Sequence, residues 1–333
     1  MLSAVIHARG LARTFRKRKQ EVHAVVGVDL DVEAGEIVGF LGPNGAGKTT
    51  TLRMLTTLLE PTAGEATVAG CDLRADPVGV RRRIGYVSQS GSTAPEARAG
   101  EEVVDHARLY GMSRAEATAR GQQLFGELDL DGMWERQPKA MSGGQRRRLD
   151  IAMGLIHQPG LVFLDEPTTG LDPQARANLW QHIRALREER GTTVFLTTHY
   201  LDEADALCDR ILVIDHGSIV AGGTPDELKS QVGGDVVTVT VDRELVPEVA
   251  RLAAALPGAE EPQVLEDRVV ARVPHGGTAL VELVRALDRA GLVVSGIESR
   301  RPSLDDVFLG LTGRSLREAG APAAAPAPEV AVR

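Results

Sequence analysis

Residues 37–49 read Ile-Val-Gly-Phe-Leu-Gly-Pro-Asn-Gly-Ala-Gly-Lys-Thr. From Gly42 onward the stretch fits G-x-x-x-x-G-K-[ST] at every fixed place. An apolar run, Glu36–Leu41, reads as a buried strand before it, and a helical pattern over Thr49–Leu59 follows. In that setting glycines let successive backbone N–H groups turn inward around phosphates, and the helix N-terminus adds its positive end. Lys48 supplies a cation to the outer phosphates, and the Thr49 hydroxyl offers a ligand to Mg²⁺. A glycine-rich turn that only resembles the motif is the bland alternative; the strand before and helix after argue against it. The residues expected to cradle phosphate are Gly42, Pro43, Asn44, Gly45, Ala46, Gly47, Lys48, Thr49 and Thr50.

Outward from this loop, short apolar runs at Ile84–Val87, Leu161–Leu164, Thr193–Leu196 and Arg210–Ile214 read as further strands. Helical patterns over Gln145–His157 and Pro173–Arg190 lie between them. Strands alternating with helices predict an α/β fold with a mostly parallel sheet covered on both faces, whose ligands bind at the carboxyl ends of the strands. At one such end Asp165 and Glu166 follow four apolar residues. A carboxylate there holds Mg²⁺, and its neighbour is placed to polarise an attacking water as general base. Acidic strand ends are common, so the pair gains its meaning from the phosphate loop beside it.

Composition bounds the alternatives. The chain has 333 residues, 38 Lys plus Arg against 46 Asp plus Glu, and a net charge of −8. That balance argues against a general nucleic-acid binder. Cys71 and Cys208, the only cysteines, form neither a CxxC motif nor a disulfide framework, which suits a reducing compartment. The apolar runs are about four residues long where a membrane span needs ~20, so the chain is not expected to cross a bilayer. The guanine-reading Asn-Lys-x-Asp is absent, since Asn44 and Asn178 are the only asparagines.

Ser142-Gly143-Gly144-Gln145 precedes a helix with the S-x-x-Q spacing of a capping box. A cap does not need two internal glycines, whereas close approach of backbone N–H groups to an anion does. With Met141 in place of Leu, this segment resembles the LSGGQ signature of the nucleotide-binding subunits of ABC transporters. The phosphate loop and acidic strand end then correspond to that family's Walker A and Walker B, Gln89 to its Q-loop, Gly170-Leu171-Asp172 to its D-loop, and His199 to its switch histidine. Phe15 stands where the family keeps an aromatic for adenine. Ser303–Leu309 and Arg146–Ala152 resemble the daunorubicin-type antibiotic-resistance exporters in particular.

The resemblance spans about residues 3–232 and carries its own expectations. It implies ATP and Mg²⁺ as ligands, with Glu166, His199 and Gln89 catalytic, and Thr49, Gln89 and Asp165 around the metal. Phe15, Ser142, Gly143, Gly144, Gln145 and Asp172 join the nucleotide-binding set. It implies a head-to-tail homodimer closing on ATP, and an integral membrane permease subunit of about six spans. The chain would then sit at the cytoplasmic face of the cell membrane, held there by the permease, and power export of a drug, antibiotic or other hydrophobic natural product. Each residue has a plainer reading beside this one: His199 as a core histidine, Asp172 as a helix cap before Pro173, Phe15 as core packing, Gln89 as a surface residue. A soluble ABC-type ATPase acting on nucleic acid or ribosomes is the alternative; it would carry a coiled-coil insertion, zinc cysteines or a second cassette, and this chain has none of them.

Three basic clusters, Arg16–Lys19, Arg81–Arg83 and Arg146–Arg148, stand out. The first two read as solvated faces. The third opens a helix, where cations oppose the dipole at ~0.3–1 kcal/mol and a site meeting an anionic nucleotide would offset the cost.

Domain boundaries are expected at residues 1–232, 235–313 and 314–333, with Gly233-Gly234 as the break. The last stretch, Ala-Pro-rich from Glu318, reads as a disordered tail. In the middle one, alternation at Val237–Val241 and Val269–Val273, helical stripes from Leu245 and Leu280, and a strand at Leu292–Ile297 predict β-α-β-α-β. A short strand near Val264 would complete a ferredoxin-like unit. A final helix from Ser303 is expected to dock through Leu304, Val307, Phe308 and Leu311.

Overall fold

The computed structural model describes residues 4–17, 20–231 and 233–312. The expected tail, 314–333, lies outside the described residues. Contacts divide the chain into one unit running to Thr224 and another beginning at Pro225.

The first unit opens with two long strands, β1 (Ala4–Lys17) and β2 (Gln20–Glu33), then β3 (Ile37–Leu41) and α1 (Lys48–Leu55). β4 (Ala63–Val68), β5 (Cys71–Asp72), α2 (Pro77–Arg83) and β6 (Ile84–Val87) follow. Three helices come next: α3 (Ala99–Leu109), α4 (Arg114–Glu127) and α5 (Gly143–Leu155). The unit closes with β7 (Leu161–Asp165), α6 (Pro173–Arg190), β8 (Thr193–Thr198), α7 (Leu201–Leu207), β9 (Arg210–Asp215) and β10 (Ser218–Gly223). β2-β1-β4-β5 form an antiparallel sheet, and β10-β9-β3-β8-β7-β6 a six-stranded one, parallel except for β10.

The parallel sheet is α/β as expected, and its chemistry explains its burial. β3, β7 and β8 are buried along their whole length, so both faces must be apolar. Phe195 of β8 packs between Phe40 and Phe163 at 5.6 Å to each ring centroid, tying three neighbouring strands together. β7, β8 and β9 each run past the apolar run that announced them, adding Asp165, Thr197-Thr198 and Asp215 at their carboxyl ends.

Two helices differ from expectation at their ends. α1 stops at Leu55 rather than Leu59, because the Thr56 hydroxyl bonds back to the Leu52 carbonyl and Thr57 takes a left-handed φ of 61°. α5 begins two residues early, since Gly143 and Gly144 form its first turn under the Ser142 cap. α6 matches, bounded by Asp172 at the N-cap and left-handed Gly191 at the C-cap.

The second unit contains α8 (Pro225–Gln231), β11 (Asp235–Thr240), α9 (Val246–Ala254), β12 (Gln263–Leu265), β13 (Arg268–Val273), α10 (Gly276–Arg289), β14 (Gly296–Arg300) and α11 (Leu304–Thr312). The antiparallel order β12-β13-β11-β14 is the ferredoxin-like arrangement, with the short strand at Val264 present. α8, expected to end the first domain, groups with this unit and packs on α11. The last strand starts at Gly296, not Leu292. Left-handed Gly291 and a bond from Leu292 N–H to the Leu287 carbonyl close α10 there, and the strand begins only after that turn. Ser303 caps α11 as expected; Leu304, Val307 and Phe308 are buried, while Leu311 is exposed.

Candidate functional site

The phosphate loop leaves β3 buried at Gly42 and Pro43, reaches solvent at Asn44 and Gly45, and returns buried through Ala46, Gly47 and Lys48, with Thr49 and Thr50 half-buried on α1. Gly47 has a φ of 108°, and a Cβ there would stand 2.6 Å from the Ala24 carbonyl oxygen of β2, so no side chain fits. Lys48 turns back over the loop. Its Nζ donates to the carbonyls of Gly42 at 2.8 Å and Pro43 at 3.0 Å, and stands 3.6 Å from Glu166 Oε1. Burial pushes the ammonium below its ordinary pKa, opposed by Glu166 and Asp165. A cation so placed is desolvated and held by weak carbonyl partners, ready to exchange them for a stronger anion.

Glu166 is the meeting point. Gln89 Nε2 donates to its Oε2 at 2.8 Å, the Thr169 hydroxyl donates to the same oxygen at 3.1 Å, and His199 Nδ1 stands 3.3 Å from it. Burial pushes the carboxyl up, but His199, Lys48 and Thr169 outweigh it and leave the group below the ordinary glutamate range. The backbone of Glu166 is left-handed, with φ 44°. For a non-glycine residue that costs on the order of 1–3 kcal/mol and needs over-determined surroundings. The Glu166 N–H is accordingly anchored by the Thr197 hydroxyl at 2.9 Å.

Asp165 lies one residue earlier and is almost fully buried. Its Oδ1 accepts from the Thr49 hydroxyl at 3.0 Å and the Thr197 hydroxyl at 2.7 Å. This oxygen-only pair of Thr49 and Asp165 fits Mg²⁺, a hard cation that takes few protein ligands and the rest from phosphates and water. Among the described residues no group of three or more His, Cys, Asp or Glu forms a metal cage of its own. Gln89 reaches Glu166 rather than Asp165 in this arrangement.

Ser142 and Gln145 form a complete capping box at the start of α5: Gln145 N–H donates to Ser142 Oγ at 3.2 Å and Ser142 N–H to Gln145 Oε1 at 3.0 Å. Asp172 caps α6 through the Ala175 N–H at 2.9 Å. The two helix starts adjoin, since a Cβ on Gly144 would stand 3.3 Å from Ala175 Cβ. Ser142, Gly143 and Asp172 are exposed. Among the described residues no hydrogen bond or ion pair joins Ser142–Gln145 to Lys48, Asp165 or Glu166. Within one chain these are two separate groups of residues, one around Glu166 and one at the α5 and α6 starts. Phe15 is half-exposed on β1 opposite Val22, with the Arg13 guanidinium 4.9 Å over its ring.

The basic cluster at the start of α5 is not uniform. Arg146 is exposed, but Arg147 is buried and donates to the carbonyls of Ser88, Asp165 and Pro167. Its charge faces the loops of the site rather than solvent. Thr197 and Thr169 were also not singled out from the sequence. Thr197 had one signal, the Thr-Thr-His end of an otherwise apolar strand.

No described helix is long and apolar enough to cross a membrane. A family model described as ABC transporter matches residues 25–169, and a second, described as the C-terminal domain of ATP-binding proteins DrrA1-3-like, matches residues 223–312. The daunorubicin resistance ATP-binding protein DrrA2 of Streptomyces coeruleorubidus is 45% identical, the alignment covering 91% of this chain and 94% of that one. The doxorubicin resistance ATP-binding protein DrrA of Mycobacterium tuberculosis is 42% identical over 91% and 92%. The Nod factor export ATP-binding protein I of Cupriavidus metallidurans is 37% identical over 95% and 100%. Among solved structures, a dimeric ATP-binding cassette in a post-hydrolysis state bound to ADP and Pi matches with a TM-score of 0.61 and 27% identity, over 66% of this chain and 98% of that one. Identity sustained over nearly the full length of both sequences leaves one conclusion: the chain belongs to the ABC transporter family, as an ATP-binding subunit homologous to drug-resistance exporter ATPases.

Proposed function

We propose that Glu166 accepts the proton of the water that attacks the γ-phosphate of ATP, with Lys48, Gln89 and His199 arranged around it, and that this hydrolysis powers an exporter of a drug, antibiotic or other hydrophobic natural product. As an ABC ATP-binding subunit the chain is an ATPase that binds ATP with Mg²⁺. The carrying observation is the convergence of Lys48, Gln89, Thr169 and His199 on one buried carboxylate. Lys48 exchanges its carbonyl partners for the phosphates and frees Glu166 Oε1. Gln89 and His199 orient the water, and Glu166 takes its proton as the bond to ADP breaks. Thr49 and Asp165, together with Gln89, would hold Mg²⁺, which would supply positive charge to neutralise the phosphates.

The exposed pair of capped helix starts, Ser142–Gln145 and Asp172, suits the nucleotide held by a second copy, so the working form is a head-to-tail homodimer closing on ATP. Phe15 meets the adenine. The partner is an integral membrane permease of roughly six spans, which places the chain at the cytoplasmic face of the cell membrane. Nucleic acid is not a partner. The ferredoxin-like unit, which offers no catalytic constellation among its described residues, strengthens pairing or assembly; a chain ending at Thr224 should bind ATP yet pair more weakly in pull-down.

Glu166→Gln is the test. ATP binding should persist, hydrolysis should fall ~10²-fold or more, and an ATP-bound dimer should accumulate. Turnover at the wild-type rate would overturn the assignment.

A further inference from the structure

We propose that Arg147 and Asp150, three residues apart on α5, are positioning residues that clamp the Gln89 loop and the Glu166 loop to the helix carrying the Ser142–Gln145 signature. The inference rests on Glu166 as proton acceptor and names what holds it in place.

The Arg147 guanidinium is forked between the two loops. Nε donates to the Pro167 carbonyl at 2.8 Å and Nη2 to the Asp165 carbonyl at 3.0 Å, one on each side of Glu166. Nη1 donates to the Ser88 carbonyl at 2.5 Å, immediately before Gln89. Arg147 is 7% exposed, and burying such a charge is costly unless its donors are satisfied. Here each of its three nitrogens donates to a backbone carbonyl of the two loops. The planar five-donor fork is what allows one side chain to grip both.

Asp150 takes the far side of the Gln89 loop. Its Oδ1 accepts from the Ser92 N–H at 2.8 Å and from the Ser92 hydroxyl at 3.4 Å. Between the two grips the chain makes a tight turn, closed by the Gly91 N–H to the Ser88 carbonyl at 3.2 Å. Gly91 has a φ of 74°, and a Cβ there would stand 2.8 Å from Asp150 Oδ2, so only glycine lets the turn lie on the carboxylate. Gln89 is therefore held between an arginine grip at Ser88 and an aspartate grip at Ser92, with its amide on Glu166. A displacement of α5 would act on both sides of Gln89 and both sides of Glu166 together. Neither side chain reaches the reacting atoms, and both act through the backbone of residues that do.

The experiment uses the full chain with Arg147→Met, Asp150→Ala and Asp150→Asn, the last retaining a carbonyl acceptor for the Ser92 N–H. Amide exchange across residues 89–93, thermal melting, and kcat and KM for ATP are measured beside wild type and Glu166→Gln. Exchange at Ser92 should rise ~10-fold or more in Asp150→Ala and stay near wild type in Asp150→Asn. The kcat should fall roughly 10–100-fold in Arg147→Met and Asp150→Ala, with KM changed by less than about twofold, and recover in Asp150→Asn. Folded Arg147→Met and Asp150→Ala chains with wild-type kcat and unchanged exchange would overturn the clamp. So would a loss in Asp150→Ala that Asp150→Asn does not rescue. Should Arg147→Met fail to fold, the two Asp150 variants decide. Equal turnover by wild type and Glu166→Gln would instead overturn the role of Glu166, leaving the exchange measurements to judge the clamp separately.

Discussion

The side-chain amide of Gln89 donates to Glu166 Oε2 at 2.8 Å, joining residues 77 positions apart in the chain. A neutral donor at that distance holds a carboxylate without neutralising it, and leaves it basic toward water. Replacing the amide by a second carboxylate would force two like charges together, and one of them would then hold its proton to higher pH. In Gln89→Glu the acid limb of the kcat–pH profile should move up by about one pH unit or more. The general base must be ionised to act, so activity disappears below its pKa, and raising that pKa moves the loss to higher pH. A profile superimposable on wild type would contradict the contact.

Asp165 Oδ1 gathers the hydroxyls of Thr49 and Thr197. In Asp165→Asn the charge is lost while the shape is kept. The Mg²⁺ concentration needed for half-maximal hydrolysis should rise roughly 10–100-fold, as seen when groups at or beside a metal site are changed. ATP binding measured with EDTA present should stay close to wild type.

Ser142 is exposed and, among the described residues, its hydroxyl is engaged only in the α5 capping box. Ser142→Arg adds bulk to a surface that, among the described residues, has no hydrogen bond or ion pair to Lys48, Asp165 or Glu166. Removing the cap costs ~0.5–2 kcal/mol of helix stability. Monomer ATP binding should survive, and ATP-dependent dimer mass by light scattering should disappear in the Glu166→Gln background.

His157 stacks flat on Tyr110, centroids 3.7 Å apart, with Nε2 2.9 Å from the Ile84 carbonyl oxygen. Burial, with His106 nearby, depresses its pKa from 6.5 to about 4. The folded state keeps the ring neutral, while the unfolded chain takes up a proton below 6.5. Its contribution to stability is therefore complete above pH 6.5 and lost as pH falls toward about 4. Urea midpoints should drop between about pH 7.5 and pH 4.5 more steeply in wild type than in His157→Phe.

Much of this molecule is local in origin. The loop Gly42–Thr49, the acidic strand end, the Ser142 capping box and the span of α6 each lie in a few consecutive residues, and their reading needs only backbone sterics, helix capping and apolar runs. Two strands of the ferredoxin-like unit are legible from alternation at Val237–Val241 and Val269–Val273 for the same reason. Where local signals competed, boundaries moved: Thr56 and Thr57 shortened α1, and Gly291 delayed β14. Arg147 was legible only as part of a basic run, because a sequence does not say which of three adjacent arginines turns inward. Its burial follows from α5 packing along β6, with the ends of β6 and β7 bringing the Ser88, Asp165 and Pro167 carbonyls within reach of one guanidinium. Likewise the left-handed backbone of Glu166 and its meeting with Lys48, Gln89 and His199 depend on contacts between residues 118 apart in the chain at Lys48, 77 at Gln89 and 33 at His199. Local sequence named the chemical groups; tertiary packing decided which of them touch, because burial and hydrogen-bond satisfaction are properties of the assembled sheet and not of any one segment.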